Sequence, residues 1–142
     1  MCVYNRPFDD QMQPRIMLES QIFIMLLSMI SKGRFDLINS FALEYENSKN
    51  PNIENMLKIS DLLKYSTDYI SCDEDILDRS LEFEKHGLMG MDAVHIACAE
   101  KAKADFFVTC DNNLIKKLKR IDIIGIAYYN VIDFISREVF KI

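Results

Sequence analysis

The sequence predicts an α/β fold: one domain over residues 1–142, with a mainly parallel central sheet of about four to five strands flanked by helices. Three observations carry this. Short β-like runs alternate with stretches of helical periodicity along the whole chain. The helical stretches open on capping residues and close on glycine or before proline. Finally, 49% of the residues are hydrophobic and only four glycines and three prolines interrupt them. That composition suits a compact chain whose folding buries roughly two-thirds of its unfolded surface.

The elements follow in order. After an apolar start at Cys2, Val3 and Tyr4, Pro14 suits a first helical turn, and Ile22, Phe23, Leu26, Met29 and Ile30 recur at helical spacing up to Gly33. Phe35 to Ser40 reads as a strand. Ala42 to Asn47 reads as a helix broken before Pro51, because a residue preceding proline avoids the α region, and a second helix begins at Asn52. Tyr69 and Ile70 form a short edge strand. Asp73 caps a helix carrying Ile76, Leu77 and Leu81, which Gly87 closes in the left-handed conformation. A helix from Asp92 carries Val94, Ile96, Ala97 and Ala99 and leads to the strand Phe106 to Thr109. Asp111 opens the helix of Leu114, Ile115 and Leu118. A last strand, Ile123 to Ala127, precedes a helix with Val131, Ile132, Ile135 and Val139. The methionines, with Phe23, Phe83, Phe106 and Phe107, are read as core, since no ordered series of exposed aromatics suggests base stacking.

Bulk properties exclude several function classes. The net charge of −5 argues against a surface that binds nucleic acid everywhere, so any such contact is local. Cys2, Cys72, Cys98 and Cys110 are far apart and form no C-x-x-C pair, which reads as reduced thiols in a cytoplasmic protein. The apolar run Ile22 to Ile30 has about half the roughly 20 residues a bilayer span needs, so a buried helix and no membrane partner are expected.

In a parallel α/β sheet, ligands bind beyond the carboxyl ends of the strands. Three acids fall there: Glu46 after the strand ending at Ser40, Asp92 at the start of a helix, and Asp111 directly after Phe107-Val108-Thr109. Carboxylates brought within about 4 Å repel by on the order of 4 kcal/mol per pair at an effective dielectric of 20 unless a cation neutralises them. Oxygen-only ligands favour Mg²⁺ or Mn²⁺, and such a metal suits phosphodiester hydrolysis. Singly, each acid has a plainer reading: Asp92 and Asp111 as helix caps, and Glu46 as a solvated glutamate.

Met91-Asp92-Ala93-Val94-His95-Ile96-Ala97, followed by Asp105-Phe106-Phe107-Val108-Thr109-Cys110-Asp111, closely resembles the paired D-A-x-H-x-A and T-x-D signatures of PIN domains. Upstream, Ser40-Phe41-Ala42-Leu43-Glu44-Tyr45-Glu46 resembles the family's step from second strand into helix, which puts the catalytic glutamate at Glu46 in preference to Glu44. The opening Cys2-Val3-Tyr4-Asn5-Arg6-Pro7-Phe8-Asp9-Asp10 looks like one branch in which leucine, aspartate and threonine precede the cysteine. Met1 then stands at the threonine position, the first catalytic aspartate has no counterpart, and the first strand is shortened with it. Asp9 and Asp10 are read as turn or cap residues.

The resemblance implies a metal-dependent endoribonuclease, similar to the toxins of toxin–antitoxin pairs, with Glu46, Asp92 and Asp111 as catalytic and metal-binding residues. The alternative is a degenerate PIN domain that binds RNA or a protein without cutting. Thr109 and Asn113 are expected behind Asp111, bonding to it or to a phosphate through their side chains, and His95 as a packing and hydrogen-bonding residue. Lys116, Lys117, Lys119 and Arg120 are expected to contact single-stranded RNA. An antitoxin and a second copy of the chain are the expected protein partners.

Overall fold

The computed structural model describes residues 1–141. Helix α1 (Cys2–Asn5) runs into a 3₁₀ turn (Arg6–Phe8), followed by α2 (Pro14–Ser31), β1 (Ile38–Ser40), α3 (Phe41–Ser48) and α4 (Ile53–Leu63). Next come β2 (Asp68–Ile70), α5 (Glu74–Lys85), α6 (Gly90–Lys101), β3 (Phe106–Thr109), α7 (Asn112–Lys119), β4 (Ala127–Asn130) and α8 (Val131–Phe134), which continues as a π-helical turn (Ile135–Val139).

The α/β class holds, but the sheet is smaller than expected. Two parallel pairs form, β1 with β2 (Ile38 opposite Asp68) and β3 with β4 (Phe106 opposite Ala127), and no ladder joins them among the described residues. The apolar opening, expected as the remnant of a first strand, is instead the helical turn α1, whose backbone bonds are closed within itself. The last strand is displaced to Ala127–Asn130. Side chains hold the stretch expected to pair: Arg79 donates to the Ile123 carbonyl, and the Gly125 N–H donates to Glu100 Oε2 at 2.7 Å.

Side-chain capping explains the starts of α3, α4, α5, α7 and α8. Ser40, Asn52, Asp73, Asp111 and Asn130 each accept a backbone N–H from the first turn of the helix that follows. Gly87, at φ +95°, takes the left-handed conformation just past α5, where a side chain would be strained.

Two apolar clusters sandwich the β3–β4 pair. Phe106, Val108 and Tyr129 face the first cluster, built from Val3, Tyr4, Phe23, Leu26, Ile59 and Phe134. Phe107 and Tyr128 face the second, built from Phe83, Leu88, Ile96 and Leu118. The alternation follows from the two-residue period of a strand, which makes successive side chains point to opposite faces. Two core expectations fail: Leu77 and Leu81 are exposed, α5 burying Ile76, Ser80 and Phe83 in their place, and Met12, Met17 and Met89 are exposed while Met29 is buried. Helix α2 is long and apolar enough to cross a membrane by length and composition, yet it packs its Ile22, Phe23, Leu26 and Met29 into the first cluster.

Candidate functional site

The three acids arrive on three different elements. Glu46 lies in the second turn of α3, a helix started by the Ser40 hydroxyl accepting from Leu43 N–H at 3.2 Å. Asp92 sits in the first turn of α6, but it is not the cap: α6 begins at Gly90 after Met89, so the capping explanation of Asp92 fails. Asp111 is a cap, its Oδ1 accepting from Asn113 N–H at 2.9 Å and Leu114 N–H at 3.2 Å.

The electrostatics link all three. Burial raises the Asp92 carboxyl above its ordinary range, and the Asp111 and Glu46 charges push it the same way, while His95 and Lys117 pull against them. Glu46 goes the other way, lowered chiefly by the 2.7 Å hydrogen bond that His95 Nε2 donates to its Oε1. His95 is one helical turn beyond Asp92, so its role here is to tie α6 to α3 through Glu46. Glu44 lies elsewhere, bonded by Asn39 Nδ2 at 3.0 Å and by the Tyr69 hydroxyl at 3.3 Å.

Of the supporting residues, Thr109 bonds to Asp111 through its side chain as expected, and Asn113 does not. Thr109 is buried, and its hydroxyl accepts from the Asp111 backbone N–H at 3.1 Å, so it shapes the turn and leaves the carboxylate alone. Asn113 meets Asp111 through its backbone N–H, not its side chain. Asp9 pairs with Arg6, and Asp10 Oδ1 accepts from Met12 N–H, which makes both turn residues. Lys116, Lys117, Lys119 and Arg120 are all exposed, opposite the buried Leu114 and Leu118 of α7. Two participants escaped the sequence reading: Lys117 as a charge acting on Asp92, and Arg15, which donates to the Cys110 carbonyl beside Asp111 at 3.1 Å. Neither is part of a motif.

Residues 26–121 match the family model of the PIN domain. This chain belongs to the PIN domain family. The matched segment contains Glu46, Asp92 and Asp111, whereas the opening Cys2 to Asp10 lies outside it. No curated protein and no solved structure gives a match. PIN domains have a nuclease-type fold, generally depend on divalent metal and generally bind RNA.

A divalent ion suits the chemistry of this PIN domain's acids: the donors are oxygens, and the charges of Asp111 and Glu46 help burial to raise the Asp92 carboxyl although His95 and Lys117 pull against them. Among the described residues, however, no three His, Cys, Asp or Glu side chains stand close enough together to form a ligand set. Glu46 is turned toward His95 instead.

Proposed function

We propose that this PIN domain is a Mg²⁺- or Mn²⁺-dependent endoribonuclease that hydrolyses single-stranded RNA. The observation that carries the reading is Asp92: a half-buried carboxylate that serves no cap and is raised by burial and by the charges of Asp111 and Glu46, which come from other elements. Folding alone gains nothing from a raised Asp92 carboxyl, whereas perturbed acids are what metal-assisted hydrolysis uses.

Asp92 and Asp111 are the residues that would hold the ion, with Glu46 behind them. When bound there, it would lower the pKa of a water molecule and stabilise charge on the scissile phosphate. The chain's own residues do the rest. His95 fixes the direction of Glu46, Thr109 holds the turn that presents Asp111, and Lys117 offsets part of the negative charge at Asp92. Lys116, Lys119 and Arg120 extend the basic surface along which an RNA backbone would lie. Within the same reading the protein is a cytoplasmic toxin-like nuclease, working as a homodimer and held in check by an antitoxin.

One observation favours the second reading, a PIN domain that binds RNA or a protein without cutting: the acids are not gathered into a ligand set. Labelled single-stranded RNA incubated with Mn²⁺ or Mg²⁺ separates the two. The chain, a version extended at its start by Leu-Asp-Thr, and Asp92→Asn in each would be compared. Metal-dependent cutting abolished by Asp92→Asn is the expected result. Cutting only by the extended version would make a preceding aspartate the missing part, and binding without cutting by either would establish the second reading.

A further inference from the structure

An open cleft of about 460 Å³ has Asp111 in its wall and is otherwise lined by Cys2, Arg6, Arg15, Cys110, Asn112 and Asn113; its arginines have no part in the proposed chemistry. Its two arginines come from separate elements, the 3₁₀ turn and the first turn of α2, and both are fastened to one carboxylate. Arg6 Nε donates to Glu19 Oε1 at 3.0 Å, and Arg15 NH2 stands 3.5 Å from Glu19 Oε2. Glu19 is fully buried, and its Oε2 accepts no hydrogen bond. Burying an ion pair this way costs desolvation that an apolar side chain at the same position of α2 would avoid. What the arrangement supplies is position: two guanidinium groups held beside the turn that carries Asp111, Arg15 also donating to the Cys110 carbonyl.

The hydrogen bonds leave capacity. Each guanidinium has five N–H donors. Arg6 uses one on Glu19 and one on Asp9, and Arg15 directs its NH2 group at Cys110 and Glu19, so both retain donors for a ligand in the cleft. Arg6 and Arg15 are paired with Glu19 and Asp9, and the Asp111 carboxylate lines the same cleft, so a multiply charged anion is repelled there more than a singly charged one. A singly charged group recognised by the planar fork of arginine, such as one phosphodiester, suits these walls best.

We propose that the Arg6–Arg15 cleft binds an internal phosphodiester of the RNA, next to the phosphate that is cut, and so sets the register of the strand over Asp111. The inference rests on the ribonuclease reading for its ligand, but it concerns binding, and so it is tested without cleavage.

The experiment is fluorescence anisotropy of a fluorescein-labelled, mixed-sequence single-stranded RNA, without divalent metal, across a salt series. Wild type, Arg15→Ala and Arg15→Lys would be compared, with Lys116→Ala as a reference. Arg15 is half-exposed, and Arg6 remains to neutralise Glu19, so Arg15→Ala keeps the fold, which thermal melting checks. Arg15→Ala is expected to weaken binding about tenfold and to lower the salt slope by about 0.7. Arg15→Lys should restore the slope but not the affinity, because a point charge lacks the fork. Wild-type binding that Arg15→Ala leaves unchanged overturns the cleft while the ribonuclease reading stands. No RNA binding by wild type also overturns the cleft, and the ribonuclease reading is then decided by the cleavage assay with metal. Displacement of the RNA by inorganic phosphate at matched ionic strength would assign the cleft to a free phosphate and so also overturn the proposal.

Discussion

At the scale of single residues, Asp92 separates function from stability. Its carboxyl is raised in the folded protein, so the folded state holds that proton more tightly than the unfolded chain does. Stability from this group is therefore gained as pH falls through the folded value and is absent at neutral pH, where the buried charge is a cost. Asp92→Asn should accordingly melt at or above the wild-type temperature in metal-free buffer at pH 7 while losing RNA cleavage. A lower melting temperature would show that Asp92 is structural. Glu46 has the opposite sign: His95 lowers it, so its contribution persists above the ordinary carboxylate range and is lost on acidification. Residue types in the right order were legible in the sequence for these two positions. The His95–Glu46 bond was not, because 49 positions separate the partners and only the packing of α3 on α6 joins them.

At the scale of elements, the helix starts were the most legible feature, because a cap is a local bond whose chemistry is written in one residue. Asn52 accepts from Asn55 N–H at 3.1 Å and starts α4, which buries Ile59 and Leu63. Asp111 combines this duty with its place in the site. Asparagine caps as well as aspartate, so Asp111→Asn should keep stability within about 0.5 kcal/mol, while Asp111→Ala should cost about 1 kcal/mol. Both should abolish cleavage. Chemical denaturation beside the RNA assay checks the pair, and equal loss of stability in the two variants would mean that the charge, not the cap, holds α7. Strand limits were read less well. Ile123 to Gly125 has the apolar character of a strand, yet Arg79 and Glu100 claim its backbone from across the fold. Such a competition between side chains and a ladder leaves no periodic trace.

For the whole molecule, charge decides how nucleic acid is met. With a net charge of −5, binding must rest on a local basic surface, and the exposed face of α7 provides one. Replacing Lys116, Lys117, Lys119 and Arg120 with alanine should weaken RNA binding and flatten its dependence on salt, by about 0.7 in logarithmic slope for each phosphate that is no longer neutralised. An unchanged slope would make that face merely solvated. Leu114 and Leu118 anchor the same helix in the second apolar cluster, so these surface changes leave its packing intact.

By itself the sequence determined the α/β class, the capped helix starts and the family's ordered acids, since all of these depend on local periodicity, turn chemistry or motif. Tertiary structure decided the rest. It made the sheet two separate pairs, turned the opening residues into a helix and gave Glu46 to His95. It also hung Arg6 and Arg15 on the buried Glu19 beside Asp111. For the strand pairing and the His95–Glu46 bond the physical reason is the same: each is a contact between residues distant along the chain. Their outcome is set by which surfaces meet when the two apolar clusters close.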